Sequence, residues 1–269
     1  MNATTTAPDQ DNDNAPRVAL VAGAGRGIGY ATCRQLADAG WDIAAGARSV
    51  DELDRLKQEL ADTDATISCH GYDIGDATAV NEMVKTVMTT HGRIDAMVNS
   101  AGTSYVAPVA LANIEKASAV IQTNLMGAFI LSRAVLRPMT RQKHGRIVHI
   151  GSISGTIGAA YNAIYAASKA GVGGLVKSMA LEVGSLGITV NAVQPGTVHT
   201  ELFEQTHGAR AKLKGISLEE QKALMEADNP QQRLVQPEEI AAAVMYLLSD
   251  GAAAVNGHLL TVDGGRSVS

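Results

Sequence analysis

The chain has 269 residues, 46% of them hydrophobic and 18% charged, enough material for one large domain around a continuous core. Its net charge of −5 gives no basic excess to attract nucleic acid or anionic lipid, so neither is expected as a partner. The two cysteines, Cys33 and Cys69, are too few for a disulfide framework, and none of the seven histidines stands at zinc-ligand spacing, so no metal is expected and a reducing cytoplasm fits best.

Residues 1–15 are polar and acidic, lack the basic start and apolar centre of a secretory signal, and read as a disordered tail ahead of a domain over 16–269. RVALVAG (Arg17 to Gly23) is a β-branched apolar run that stops abruptly at glycines, which predicts a short buried strand. A helix follows over about 28–39, Gly40 ends it, and WDIAAGAR supplies a second strand; this is the length of a βαβ crossover. DELDRLKQELAD reads as a charged amphipathic helix. The alternation continues with ATISCHGYD as strand, DATAVNEMVKTVMTTHG as helix, IDAMVNSAG as strand and a long helix holding QTNLMGAFILSRAVLRPM.

GRIVHIGS is the next strand, TIGAAYNAIYAASKAGVGGLVKSMALEVGS carries a long helix, and GITVNAVQPG is strand again. Several of these strands are apolar throughout, the mark of a parallel sheet covered on both faces. Pro237 and two acids open a helix that Gly251 closes, and LLTVDGG completes the sheet. Residues 198–233 are polar, charged and irregular, which predicts a mobile flap with short helices over a substrate. Every apolar run is broken by Gly, Asn or charge before the roughly 18 to 20 residues that cross a bilayer, so no membrane span is expected. The fold class is a single α/β domain, a doubly wound Rossmann-type parallel sheet of about seven strands flanked by helices on both faces.

GAGRGIG sets Gly23, Gly25, Gly27 and Gly29 between the first strand and the first helix. Such a turn lets a pyrophosphate approach the backbone and the free N–H groups of the helix start. The G-x-x-x-G-x-G spacing departs from the usual dinucleotide fingerprint, and by itself it fits an ordinary glycine-rich turn equally well. The second strand ends in Gly46, Ala47 and Arg48, with no acid there to grip a ribose 2′-hydroxyl, while Arg26 stands inside the turn. Two cations and no carboxylate favour NADP(H) over NAD(H), the other reading being two solvated arginines.

Tyr165 and Lys169 in YNAIYAASK lie at i and i+4 of a predicted helix, so both project from one face and the ammonium is expected to lower the phenol's proton affinity. Tyr-x-x-x-Lys also arises by chance on surface helices. Ser152, directly after the strand GRIVHIG, gives the pair company at the carboxyl edge of the sheet, where open α/β folds hold ligands.

Together with Asn99-Ser100-Ala101-Gly102, Asn124 and Pro195-Gly196, this set resembles the short-chain dehydrogenase/reductase family over about residues 17 to 266. The resemblance implies Tyr165 as general acid, Lys169 binding the nicotinamide ribose, Ser152 orienting a carbonyl and Asn124 holding a water in a proton relay. It also implies a coenzyme site that takes in Ile28 and Ile74, with Asp73 near the adenine, Asn99, Ala101 and Gly102 on the adenosine side, and Pro195, Gly196, Val198 and Thr200 beside the nicotinamide. Ala22 and Ser100 depart from the family's usual Thr and Asn.

The C-terminal stretch is similar to that of 3-oxoacyl reductases, polyketide ketoreductases and 3-hydroxybutyrate dehydrogenases. The expected activity is reduction of a small carbonyl substrate, a 3-oxoacyl thioester or related ketone, by a homotetramer (or homodimer). An alcohol, sugar or ring-alcohol dehydrogenase working oxidatively is the alternative, and a dinucleotide-sensing regulator on the same fold is an alternative of another class. Thr103 to Ala107 and Ser154 to Asn162 are expected to join the flap over the substrate, with Arg210, Lys212 and Lys214 either meeting phosphates or merely solvated.

Overall fold

The computed structural model describes residues 15–268, so the expected tail lies outside it except for Ala15. One parallel sheet is built from β1 (Val18–Ala22), β2 (Asp42–Ala47), β3 (Ile67–Gly71), β4 (Ala96–Asn99), β5 (Gly145–Ile150), β6 (Ile188–Pro195) and β7 (Leu259–Val262). Their order is β3-β2-β1-β4-β5-β6-β7, with β1 in register against both β2 and β4. The chain reverses its direction of travel across the sheet between β1 and β4, and a crevice opens beyond the carboxyl ends of these strands.

The central strands are buried along their whole length, which is why they read as unbroken apolar runs. On one face α1 (Gly27–Asp38), α2 (Val50–Glu59) and α9 (Pro237–Leu248) pack Leu36, Leu53, Leu56, Ile240 and Val244 against Val21, Ile43 and Val98. The other face is covered by α3 (Ala77–His91), α5 (Gly127–Gln142) and α6 (Ala163–Val183), with Val80, Leu131, Val135, Val172 and Val176 over Leu20, Met97 and Ile147. Each such side chain contributes about 1.5–3 kcal/mol on burial, and together they hold the sheet between its layers. Asp95 is buried at the foot of the sheet, where it accepts from Val18 N at 2.9 Å and takes both arms of Arg93 at 2.8 and 2.7 Å.

Two expectations change. α4 (Ile114–Ile121), a π-helical turn (Gln122–Met126) and α5 run together as one helix over 114–142, which by length and composition alone is long and apolar enough to cross a membrane. Gly127 and Asn124, which the sequence suggests as breaks, are absorbed by packing: a Cβ on Gly127 would lie 2.8 Å from Ile74 Cγ2, and Asn124 is buried. Leu131, Val135 and Met139 face the core, while Arg133, Arg137 and Arg141 are exposed on the other side, the pattern of an amphipathic helix laid on a sheet.

Residues 198–233, expected to be irregular with short helices, form α7 (Glu201–Lys214) and α8 (Leu218–Ala227). Thr200 caps α7 by accepting from Phe203 N, Gly215 ends it at φ +69°, and Ser217 with Glu220 makes a reciprocal capping box on α8. The buried stripe of α7 is Phe203, His207 and Ala211, and a stripe with one large apolar residue leaves little periodic signal.

Candidate active site

The crevice encloses about 610 Å³. Its floor is the glycine turn, where Gly23 adopts φ +75° and a Cβ would lie 2.7 Å from Ala101 N, so only glycine lets the turn press against the loop after β4. Gly29 is buried behind that turn, its missing Cβ directly over the Gly23 carbonyl, and it brings the start of α1 onto the turn. α1 begins at Arg26 with no side-chain cap and no acid in its first turn. Its first N–H groups therefore remain available to an anion at the cleft wall, as a dinucleotide pyrophosphate requires. Gly25, Gly27 and Ile28 line the same wall.

Arg26 and Arg48 both border the cleft and are exposed. The expectation that no carboxylate accompanies them is corrected by Glu52. It lies in the first turn of α2, lines the cleft, and brings Oε1 to 3.9 Å from Arg26 Nη1. Gly25 makes room for it, since a Cβ there would lie 2.6 Å from Glu52 Oε2. The acid comes from the helix after β2 rather than from the strand's end, which is why inspection of the strand misses it.

Asp73 and Ile74 line the cleft after β3, with Asp73 Oδ1 accepting from Gly75 N at 2.8 Å. Ala101 and Gly102 border it after β4, whereas Asn99 stands beneath the wall. Asn99 Oδ1 accepts from Ala101 N at 3.2 Å, and its amide lies 3.4 Å from His149 Nδ1. His149 in turn meets Ser132 Oγ at 3.1 Å, and Ser132 donates to Ala128 O. Burial, with the nearby charge of Lys169, pulls the His149 pKa down to about 4, so the imidazole is neutral. Its Nδ1 then accepts from Asn99 and its Nε2–H donates to Ser132.

Ser152 follows β5 and accepts from Ser154 N at 3.1 Å, capping a short 3₁₀ turn over Ile153–Gly155. Gly155 lets that turn lie on α6: a Cβ there would be 2.8 Å from backbone atoms of Lys169 and Ala170. Ser152 is thereby held beside Tyr165. Burial raises the Tyr165 pKa, and the hydrogen bond with Ser152 pulls it back in part.

The expected lowering of the phenol's pKa by Lys169 is not what the structure shows. Lys169 Nζ donates to Ile150 O at 2.7 Å and stands 5.8 Å from the centre of the Tyr165 ring, and burial lowers its own pKa to about 8. Desolvation governs both groups, and the ammonium is held by a carbonyl at the end of β5.

Asn124 is buried behind the cleft in the π-turn and does not line it. Its amide donates to Thr103 O at 2.9 Å and Ser168 Oγ at 3.0 Å, and its Oδ1 accepts from Thr103 N at 2.8 Å. One lone pair on Oδ1 remains. It faces the bare side of Gly102, where a Cβ would stand 3.4 Å from Oδ1 and 3.6 Å from Lys169 Nζ.

Pro195, Gly196, Val198 and Thr200 line the far wall. Val198 bridges to Val235, and the Thr200 methyl packs 3.1 Å from where Gly27 would carry a Cβ, joining the flap's base to the glycine turn. Of the expected substrate loops, Ser104, Ser154 and residues 157–162 line the cleft, Tyr161 among them. Tyr105 does not, because its hydroxyl accepts from Asn113 N at 2.9 Å. Arg210 and Lys214 reach the cleft wall, and Lys212 does not.

The profile of the short chain dehydrogenase family matches residues 17–211. A 3-oxoacyl-(acyl-carrier-protein) reductase of Vibrio cholerae is 37% identical over 249 residues, covering 93% of this chain and 96% of that protein. An acetoacetyl-CoA reductase of an Acinetobacter species is 39% identical over 252 residues, covering 93% and 97%. Among solved structures, a point variant of actinorhodin polyketide ketoreductase with NADPH superposes with a TM-score of 0.90 at 35% identity, over 94% of this chain and 98% of that one.

Proposed function

The chain belongs to the short-chain dehydrogenase family, oxidoreductases that act between a carbonyl and its alcohol with a nicotinamide dinucleotide, and from that premise we propose that it reduces a 3-oxoacyl thioester or related small ketone with NADPH. The observation that carries the reading is the grouping of Tyr165, Ser152 and Lys169 in one cleft, with the phenol hydrogen-bonded to Ser152. At neutral pH the phenol carries the proton that a carbonyl oxygen takes up on reduction.

When bound, the coenzyme supplies the hydride that the carbonyl carbon receives. The chain's own residues align and protonate the substrate. Ser152 accepts from Ser154 N and keeps its hydroxyl proton for the carbonyl oxygen or for Tyr165. Tyr165 delivers its proton as charge develops on that oxygen, and Lys169, anchored to Ile150 O, places positive charge beneath the reacting pair. A water bordered by Lys169 Nζ and the free lone pair of Asn124 Oδ1, above Gly102, would return the proton to Tyr165. Arg26 and Arg48 line the cleft and would hold a 2′-phosphate, which favours NADPH.

A homotetramer belongs to this reading, supported by exposed Phe129 and Leu181 on the outer helices and by the half-exposed edge strand β7. A cytoplasmic location fits two free thiols, Cys33 and Cys69. The test is Tyr165→Phe, expected to lower turnover by about 10²- to 10⁴-fold while coenzyme titration stays near wild type. A variant that kept most of its activity on a panel of ketones with NADPH would overturn the assignment.

A further inference from the structure

The face of α7 turned to the cleft carries His207, Arg210 and Lys214, at i, i+3 and i+7. Arg210 is half-buried and its Nη2 donates to Ala160 O at 3.3 Å, on the opposite lip. No carboxylate pairs with Arg210 or Lys214 among the described residues, although the same cleft holds ion pairs for Arg26 and Arg266. Three buried polar atoms without a protein partner border this part of the cleft: Arg210 Nε, Ser104 Oγ and Asn162 Oδ1. Their loops are tied together, since Ala107 N donates to Tyr161 O at 3.0 Å.

A desolvated guanidinium with one neutral acceptor is costly, and a fold that keeps one at a ligand cleft gains from it when an anion arrives. His207 adds no competing charge, because burial and the two cations hold its pKa at about 4.

We infer that the substrate bears an oxyanion apart from its reacting carbonyl, a carboxylate or a phosphate, and that Arg210 on the flap is the residue that selects it. The inference rests on the carbonyl-reductase reading and specifies its substrate class. Guanidinium geometry suits either oxyanion in a bidentate pair. Ser104 and Asn162 lie on the facing loops to take the polar groups between oxyanion and carbonyl.

The experiment compares two matched pairs with NADPH: acetoacetate against its methyl ester, and acetoacetyl-CoA against acetoacetyl-N-acetylcysteamine, which lacks the phosphates. A preference confined to the first pair identifies the carboxylate of a free acid, and one confined to the second identifies the phosphate of a thioester carrier. Arg210→Gln is expected to cut the charged-over-neutral ratio of kcat/KM by about 10- to 100-fold, mainly through KM, the scale of a hydrogen bond to a charged group. Arg210→Lys should restore part of it.

A second measurement needs no turnover: the coenzyme complex is titrated with 3-hydroxybutyrate and its methyl ester, and with 3-hydroxybutyryl-CoA and its N-acetylcysteamine analogue, and wild type should favour the charged member of at least one pair while Arg210→Gln should not. Equal use of both members of each pair by wild type, or an unchanged ratio in Arg210→Gln, overturns the inference. Absence of turnover with all four compounds strikes the carbonyl-reductase reading instead, and the titration still decides the role of Arg210.

Discussion

At the coenzyme end of the cleft two exposed guanidiniums, Arg26 and Arg48, share the wall with the Glu52 carboxylate, 3.9 Å from Arg26. A partly exposed pair of this length contributes little stability, on the order of 0–1 kcal/mol, so it opens readily when a ligand competes. What Glu52 does is electrostatic: it neutralises Arg26 and sets a negative charge near the place where a 2′-phosphate would bring its own. Glu52→Gln is therefore expected to free Arg26 and raise the NADPH-over-NADH ratio of kcat/KM by about 2- to 5-fold, roughly the value of one exposed charge. Arg48→Ala should lower the same ratio. The difference should shrink as salt rises, because these groups face solvent. Coenzyme dissociation constants at two ionic strengths check this, and a ratio that Glu52→Gln leaves alone would mean the carboxylate points away from the phosphate in the complex.

Between elements, the active geometry depends on the 3₁₀ turn after β5 lying flat on α6. A Cβ on Gly155 would meet backbone atoms at 2.8 Å, and backbone cannot swing aside as a side-chain tip can. Gly155→Ala should push the turn off the helix and draw Ser152 away from Tyr165. The expected result is a fall in kcat of at least about 10-fold, by the sensitivity of catalysis to small misplacements, with coenzyme affinity nearly intact because the glycine turn lies elsewhere. Coenzyme titration beside steady-state kinetics separates the two. This also marks what is readable from sequence. Tyr165 and Lys169 share a helix, Ser152 ends a strand, and the glycines sit between strand and helix, so each is visible within a few residues. Glu52 and Arg210 gain their meaning from which way an amphipathic surface helix is turned, and a charged helix looks alike whether its acids face solvent or a cleft. α7 was hard to read for a related reason, since its buried stripe is one phenylalanine, one histidine and one alanine. The role of Gly155 likewise shows only when two distant segments touch.

Across the whole molecule, a polar column runs through the buried sheet, from Asn99 to His149 to Ser132 to the Ala128 carbonyl, near the charge of Lys169. His149 is enclosed on every side and neutral, with its pKa lowered to about 4 from an ordinary 6.5. In the unfolded chain the same imidazole takes up a proton near pH 6.5, so as pH falls the unfolded state binds protons first. Stability from this residue is full above about pH 6.5 and is lost as pH falls toward 4, by about 3 kcal/mol in all. Lys169 acts at the other end of the scale. Its pKa of about 8 in the folded chain against 10.5 unfolded means that stability rises with pH across that interval, as the cost of burying an ammonium is relieved. Acid should therefore loosen the fold well before its carboxylates are protonated. Urea unfolding at fixed protein concentration should show midpoints falling between pH 7 and pH 5, and His149→Asn should flatten that slope even where its absolute stability is lower for want of the Ser132 contact. A variant with the wild-type slope would locate the acid sensitivity in another group, His207 being the next buried imidazole held near 4.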